Sequence, residues 1–199
     1  MKPTLVFATA NENKVSEVRR LLEGRFEVKS LVDIGCFEDI PETSLTLEGN
    51  AKQKADYVKH KYGFDCFADD TGLEVQALNG APGVFTARFG GPEKDAMQNM
   101  NHLLSELHSA GAKESRDRQA QFKTAIHLIV KGEEIALEGI CKGEIAEKRS
   151  GTEGFGYDPI FIPEGETRTF SEMSGDEKNK ISHRGLAIRE MLEYLSSLH

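Results

Sequence analysis

The spacing of apolar and polar residues predicts that the first third of the chain alternates between strands and helices. Residues 4–8 form an unbroken apolar run, which is typical of a buried strand. Apolar residues then recur at helical spacing over residues 15–22, and the glycine that follows is expected to end this helix. A second short strand is predicted over residues 27–31. Residues 33–46 carry Gly, Pro and several carboxylates, so we expect a loop there.

The same alternation continues through the middle of the chain. Helical periodicity predicts a helix over residues 48–62. Two short apolar strands are expected over residues 66–68 and 73–75, with a polar turn at Asp69 and Asp70 separating them.

The second half of the sequence predicts a helix that begins at Pro92 and then two long strands, residues 119–130 and 134–145, joined as a hairpin. Another strand is expected over residues 157–162, and a last helix near Ser182. A helical crossover followed by a long hairpin indicates an α/β protein whose mixed parallel and antiparallel sheet bends around a cleft.

Composition supports a single domain spanning residues 1–199. The chain is 38% hydrophobic and 29% charged, as in a globular protein. No apolar run is long enough for a membrane span, and no secretory signal pattern opens the sequence, so we expect no membrane partner. The formal net charge of −8 argues against a nucleic-acid-binding surface, although it does not exclude a nucleotide ligand.

The cysteines indicate a reducing compartment. Cys36, Cys66 and Cys141 are widely spaced, odd in number and without a CxxC pattern. This usage is typical of a cytoplasmic protein, and it fits neither a zinc site nor a disulfide framework.

The most informative segment is the polar interruption at Asp69, Asp70 and Thr71. Carboxylates at a strand end resist burial unless a partner compensates their charge, and hard oxygen ligands suit Mg²⁺. Because successive strand side chains point to opposite faces, only one aspartate is expected to face a given site. The alternative is a polar turn in which Asp bonds its own backbone.

Three further segments could bind a ligand, and each has a plain structural alternative. Residues 9–14 precede a helix, where free N–H groups and Lys14 could hold an anion, or Asn could simply cap the helix. In residues 154–159, glycines beside Phe155 would let a flat ligand stack on the ring, or the aromatic residues could pack in the core. Residues 178–185 offer hydroxyl, imidazole and guanidinium donors, or only a capped helix with solvated side chains.

Other chemistry is less favoured by the motifs. There is no GxxxxGK[ST] sequence, which excludes a Walker-type phosphate loop, and no GxSxG elbow supports a Ser-His-Asp hydrolase. Glu42 and Glu48 could each complete a metal site with Asp70 or could simply be solvated. Arg88 could line the cleft or pair with a carboxylate.

Taken together and in this order, the segments resemble the inosine triphosphate pyrophosphatase family over nearly the whole chain. The resemblance is carried by five collinear motifs: TANENK (residues 9–14), ADDTGL (68–73), GAPGV (80–84), GFGYDP (154–159) and ISHRG (181–185). It implies an elongated fold with two lobes around a central active-site cleft, usually as a homodimer. It also implies Mg²⁺-dependent hydrolysis of ITP, dITP or XTP to the monophosphate and pyrophosphate, which cleanses the nucleotide pool.

The resemblance also implies roles for individual residues. Asp70 would be the general base and a metal ligand, with Glu42 as the second metal carboxylate. Phe155 would stack on the base, and His183 and Arg184 would read the 6-oxo group of the purine. The remaining substrate-binding positions are Thr9, Ala10, Asn11, Glu12, Asn13, Lys14, Thr71, Gly156, Tyr157, Asp158 and Lys178.

The sequence departs from the family pattern at two positions. Asn13 stands where the family often has Gly, and asparagine can still adopt the left-handed backbone geometry that such a turn often needs. Gly49 replaces a carboxylate at the start of the second helix, so any metal-binding role there would pass to Glu42 or Glu48 or be absent.

Two other functions stay open from sequence. A pyrophosphatase acting on modified pyrimidines or canonical dNTPs would carry similar carboxylates, and a substrate panel separates it from a purine enzyme. A nucleotide-sensing module would bind without turnover, although Asp70 and Lys14 argue for catalysis.

Overall fold

A computed structural model describes residues 2–198 of the chain. Its helices are α1 (Glu12–Leu21), α2 (Leu47–Tyr62), α3 (Ala96–Ser109), α4 (Gly175–Ile181) and α5 (His183–Ser197). Its strands are β1 (Thr4–Phe7), β2 (Glu27–Lys29), β3 (Cys66–Val75), β4 (Pro82–Gly83), β5 (Gln119–Val130), β6 (Glu133–Ile145) and β7 (Phe161–Pro163). These elements confirm the predicted mixed α/β class.

The strands hydrogen-bond in the order β2-β1-β3-β5-β6-β7, with β4 paired to β3. β1 is parallel to β2 and to β3, whereas β4 is antiparallel to β3 and β7 is antiparallel to β6. The sheet is therefore mixed, as the sequence predicted. Lys131 and Gly132 at the β5–β6 connection have φ of 52° and 85°, the geometry of a tight hairpin turn.

The chain divides into two compact units. The first contains the segment up to Asp70, Thr124–Gly139 and the segment from Gly185 onwards. Its core includes Phe7 and Phe67, whose rings stack 4.5 Å apart. Burial of these large apolar side chains is the main force that holds the parallel strands against α1 and α5.

The second unit contains Thr71–Lys123 and Ile140–Arg184. Its core packs α3 residues such as Leu103 against aromatic side chains that include Phe161 and Phe170. The ring centroids of those two phenylalanines lie 5.2 Å apart.

Three local predictions were wrong. The strand expected over residues 157–162 is a 3-10 turn, Asp158–Ile160, followed by β7. The helix expected from Pro92 begins at Ala96, because Asp95 caps it by accepting the Gln98 N–H at 2.8 Å.

The third error lies closer to the candidate site. No turn interrupts the chain at Asp69 and Asp70, because β3 runs unbroken through both. The last helix begins at His183, which confirms the predicted start near Ser182, whereas α4, which precedes it, was not predicted. A capping box between Ser174 and Glu177 starts α4.

Candidate active site

A polar cluster in the first unit surrounds Asp70, in the middle of β3. Asp70 accepts a hydrogen bond from the Asn50 side chain at 3.1 Å, and its other oxygen lies 3.8 Å from Lys54 Nζ. Lys54 also bonds Glu42. We call these four residues the carboxylate cluster. It arises because α2 places Asn50 and Lys54 one turn apart on its inward face, next to Asp70.

The neighbouring Asp69 has a different partner. Its carboxylate is buried and accepts a hydrogen bond from Lys14 Nζ at 2.8 Å. Because β3 is a regular strand, Asp69 and Asp70 point to opposite faces, as the sequence predicted. Asp69 thus bonds Lys14, whereas Asp70 lies near Lys54.

Burial and charge set the protonation behaviour of the carboxylate cluster. Burial raises the pKa of Asp70 above its ordinary value, and the charges of Lys54 and Lys14 offset this only in part. Burial also disfavours the charged form of Lys54, but Asp70, Glu42 and Asp69 together outweigh it, so the pKa of Lys54 is raised. Asp70 is thus a carboxylate with enhanced basicity beside a permanent cation.

The carboxylate cluster fits a magnesium ion. Mg²⁺ is commonly held by one or two carboxylates together with substrate phosphates. Glu42 and Asp70 both approach Lys54 Nζ, so their oxygens face one position that already favours positive charge. The donors are all hard oxygens, which match this metal.

Gly49 leaves space for the loop that carries Glu42. A Cβ at this position would collide with the Ser44 side chain, and the Gly49 N–H donates to Thr46 Oγ1 at 3.1 Å as part of the helix cap. Any side chain at position 49 would therefore have to displace Ser44. Glu48 is exposed, in the first turn of the helix.

The segment over residues 9–14 is mainly a helix cap. Asn11 is the N-cap of α1, and its side-chain oxygen accepts the N–H groups of Asn13 and Lys14 at 3.0 and 3.2 Å. Thr9 Oγ1 accepts the Asn11 N–H at 3.2 Å. Asn13 lies inside the helix and does not use the left-handed geometry that asparagine can adopt.

The remaining side chains of this segment differ in exposure. Ala10 and Glu12 are exposed, and Lys14 is directed to Asp69. The ammonium group of Lys14 and the helix N-terminus are the features that suit an anion, because both carry positive charge.

A second cluster, in the second unit, gathers residues from three distant parts of the sequence. The buried Lys178 Nζ lies 4.9 Å from the ring centroid of Phe155 and donates to Asp158 at 2.7 Å. The buried Arg184 lies 5.7 Å from the same ring and donates to Thr71 Oγ1 at 3.2 Å. We call these five residues the aromatic cluster. Two cations and a flat ring together suit a planar, electron-rich ligand.

Local backbone structure explains how Phe155 is presented. Asp158 accepts the Phe155 N–H at 2.8 Å, which closes the turn. Gly154 has a φ of 79°, and a Cβ there would meet the Asp158 carboxylate. Gly156 has a φ of 65°. Glycine is required on both sides because side chains would strain this turn.

Two other residues expected in the pocket have clear structural roles. Tyr157 is buried, and its hydroxyl donates to the Thr86 carbonyl at 2.9 Å. Burial raises the pKa of Tyr157. His183 is buried and stacks on Phe122, with ring centroids 4.4 Å apart. Neither His183 nor Arg184 is solvated. The alternative interpretation of residues 178–185, a capped helix with solvated side chains, was therefore wrong.

Sequence reasoning did not identify Asn50 and Lys54. The sequence feature that could have identified them is their position: both are polar, and each directly precedes a small apolar residue, Ala51 or Ala55, on the inward face of α2. Buried lysine is rare without a partner, so a lysine on an apolar helix face indicates an internal ion pair. Arg88, which sequence left undecided, stacks on Phe85 with 5.3 Å from guanidinium carbon to ring centroid.

The sequence matches the model of the Ham1 family over residues 5–194. A dITP/XTP pyrophosphatase of Flavobacterium johnsoniae is 52% identical over 193 residues, covering 97% of this chain and 98% of that protein. One of Christiangramia forsetii is 55% identical over 192 residues, covering 96% and 98%. The chain therefore belongs to the Ham1 family, which confirms the resemblance indicated by the motifs.

Solved structures agree with this assignment. A HAM1 protein from Coxiella burnetii superimposes with a TM-score of 0.87 at 35% identity, covering 98% of this chain and 99% of that one. The Staphylococcus aureus Ham1 protein gives a TM-score of 0.85 at 33% identity, covering 98% and 100%. Over residues 2–198, none of the helices has the length and apolar character needed to cross a membrane.

Proposed function

We propose that this chain hydrolyses the non-canonical purine nucleoside triphosphates ITP, dITP and XTP to the nucleoside monophosphate and pyrophosphate. The names of its relatives support the reaction class. The observation that carries the proposal is the hydrogen bond from Arg184 to Thr71, because Thr71 directly follows Asp70 on β3. β3 thus carries both Asp70, the proposed general base, and Thr71, which accepts a hydrogen bond from Arg184, the residue proposed to recognise the purine.

The reaction breaks the bond between the α-phosphorus and the oxygen that bridges to the β-phosphorus. Asp70 accepts a proton from the attacking water, a role that typically contributes about 100- to 10,000-fold in rate. Its raised pKa suits this role, because a more basic carboxylate accepts the proton more readily. Lys54 and Lys14 hold phosphate oxygens by charge, and the helix N-terminus at Asn11 lies in the same turn as Lys14.

Asp70 and Glu42 would hold a magnesium ion. When bound, this ion lowers the charge repulsion that opposes the attacking water and stabilises charge on the departing pyrophosphate. Lys54, which bonds Glu42 and lies near Asp70, partly offsets the repulsion between the two carboxylates before substrate arrives.

Base selection follows from the donors of the aromatic cluster. Hypoxanthine and xanthine carry an acceptor at position 6, whereas adenine carries an amino donor there. Arg184 satisfies the acceptor and would face another donor in adenine. An unpaired buried polar group costs about 1–3 kcal/mol, which gives roughly tenfold to hundredfold discrimination. Phe155 provides the stacking surface, and Lys178 contacts the ligand edge.

A substrate panel tests the proposal directly. ITP, dITP, XTP, ATP, GTP and a modified pyrimidine triphosphate are each incubated with the full chain, with and without Mg²⁺, and the products are identified. We expect monophosphate and pyrophosphate from the first three, only with the metal. Orthophosphate in place of pyrophosphate, a preference for pyrimidines or canonical nucleotides, or binding without turnover would each refute it.

We further propose that the enzyme acts as a homodimer in the reducing cytoplasm. The three cysteines are buried and unbridged, which suits that compartment. Light scattering on the purified chain tests the assembly, with a mass near 44 kDa expected from a 22.0 kDa protomer, that is 2 × 22.0. A mass near that of one protomer would contradict it.

A further inference from the structure

Away from the carboxylate cluster, the first unit contains a second group of metal-ligating side chains. Asp56 on α2, His127 on β5 and Glu134 on β6 each direct one ligand atom to a common point, and these atoms all lie within 4.8 Å of one another. His127 is buried, Asp56 is half-buried and Glu134 is exposed. The group therefore has a fixed inner ligand and an open outer side.

The separation between the His127 and Glu134 donor atoms suits a tetrahedral ion. Ligands about 2.0–2.2 Å from zinc lie roughly 3.3 Å apart in tetrahedral geometry. His127 Nε2 and Glu134 Oε2 are separated by 3.2 Å. One imidazole and two carboxylates are a donor set that binds Zn²⁺ and leaves a fourth position for water.

A cation from the protein already occupies this position. Lys52 Nζ bonds Glu134 at 2.8 Å and Asp56 at 3.1 Å. Its hydrogen bond to Glu134 raises the pKa of Lys52, and the same contact lowers the pKa of Glu134. The long, half-exposed lysine side chain can swing into solvent, which would release both carboxylates to another cation.

We propose that Asp56, His127 and Glu134 form a binding site for a divalent transition-metal ion, for which Zn²⁺ is the best chemical match, and that Lys52 competes with the metal for the two carboxylates. The site shares no residue with the carboxylate cluster, and it differs in chemistry from the Asp70 and Glu42 carboxylates because it adds an imidazole. Binding would cross-link the C-terminal half of α2 to the β5–β6 hairpin.

The test is a Zn²⁺ titration of the full chain by calorimetry, without nucleotide and with excess Mg²⁺, which prefers oxygen ligands. We expect one equivalent to bind and to raise the melting temperature. Glu134→Gln should weaken binding at least about tenfold, since loss of a supporting partner alone costs that much. Glu133→Gln, an exposed neighbour on the same strand, is the matched control and should bind as the wild type.

Two further variants sharpen the result. His127→Gln should also weaken binding at least about tenfold, with the exposed His108→Gln as its control. Lys52→Gln should tighten binding by about two- to fivefold, because surface ion pairs of this kind compete only modestly, whereas the exposed Lys148→Gln should change nothing.

The Lys52 result distinguishes a metal site from a simple salt-bridge network. If these residues formed only a salt-bridge network, Lys52→Gln would remove an ion pair and would not increase the affinity for zinc. Equal affinity in wild type and Glu134→Gln, or unchanged or weaker affinity in Lys52→Gln, would overturn the proposal. If His127→Gln does not fold, the exposed Glu134 and Lys52 variants still decide the question.

Discussion

The Lys178 ammonium group lies 2.7 Å from the Asp158 carboxylate, and both side chains are buried. Asp158 also closes the turn that presents Phe155, while Lys178 lies over the ring of that residue. Asp158 therefore both holds the conformation of the turn and fixes the positive charge of Lys178 beside the Phe155 ring. Disturbing it should affect both stability and substrate binding.

Lys178→Met should lower the free energy of unfolding by about 3–5 kcal/mol, because it leaves a buried carboxylate without its cation. Urea unfolding measures this. The double variant Lys178→Met/Asp158→Asn should cost less than the sum of the two single changes, since it also removes the stranded charge. Additive effects would show that the pair is not coupled.

Asp70→Asn should reduce turnover of ITP by about 100- to 10,000-fold while the fold is kept, because the amide cannot accept the proton from water. Steady-state kinetics and circular dichroism measure the two properties. Asp39→Asn, an exposed change in the loop before Glu42, is the control. Near-normal turnover in Asp70→Asn would remove Asp70 from the mechanism.

Asp70→Asn should also raise the melting temperature at neutral pH in the absence of divalent cations. Burial raises the pKa of Asp70 in the folded chain, so its ionisation opposes folding. This penalty is absent below the unfolded pKa, about 3.9, and is complete once the pH has passed the raised folded value. Melting curves of both proteins should therefore converge in acid and separate as pH rises. A lower melting temperature for the variant at pH 7 would contradict this.

Arg184→Ala should lower kcat/KM for ITP by about tenfold to hundredfold, because the donor that satisfies the 6-oxo group is lost. The loss should be much smaller for ATP, which lacks that acceptor, so the ratio of the two activities should fall. Thermal melting monitors the accompanying loss of packing. Unchanged kinetics with ITP would exclude this role for Arg184.

Cys66 and Cys141 should resist alkylation in the native protein. Burial raises the pKa of each thiol to about 12, so little reactive thiolate forms at pH 8. Iodoacetamide labelling followed by peptide mass mapping should find both unmodified until urea unfolds the chain. Rapid labelling of either one in native buffer would show that its surroundings open readily.

Much of the fold could be predicted from local pattern. The apolar spacing of α2 placed its start within one residue, and the hairpin between β5 and β6 followed from alternating strands around Lys131 and Gly132. Strand alternation also implied that Asp69 and Asp70 would have different surroundings. These features depend on backbone geometry that repeats every two or 3.6 residues, which sequence displays directly.

Only the tertiary structure decided which polar residues meet. The Lys178–Asp158 pair and the Arg184–Thr71 bond join positions 20 and 113 residues apart. The involvement of Lys54 was hidden because lysine is ordinarily a surface residue, and its burial is stabilised only once Glu42 and Asp70 surround it. Such contacts carry no local periodicity, because charge pairing acts between residues that folding brings together rather than along the chain.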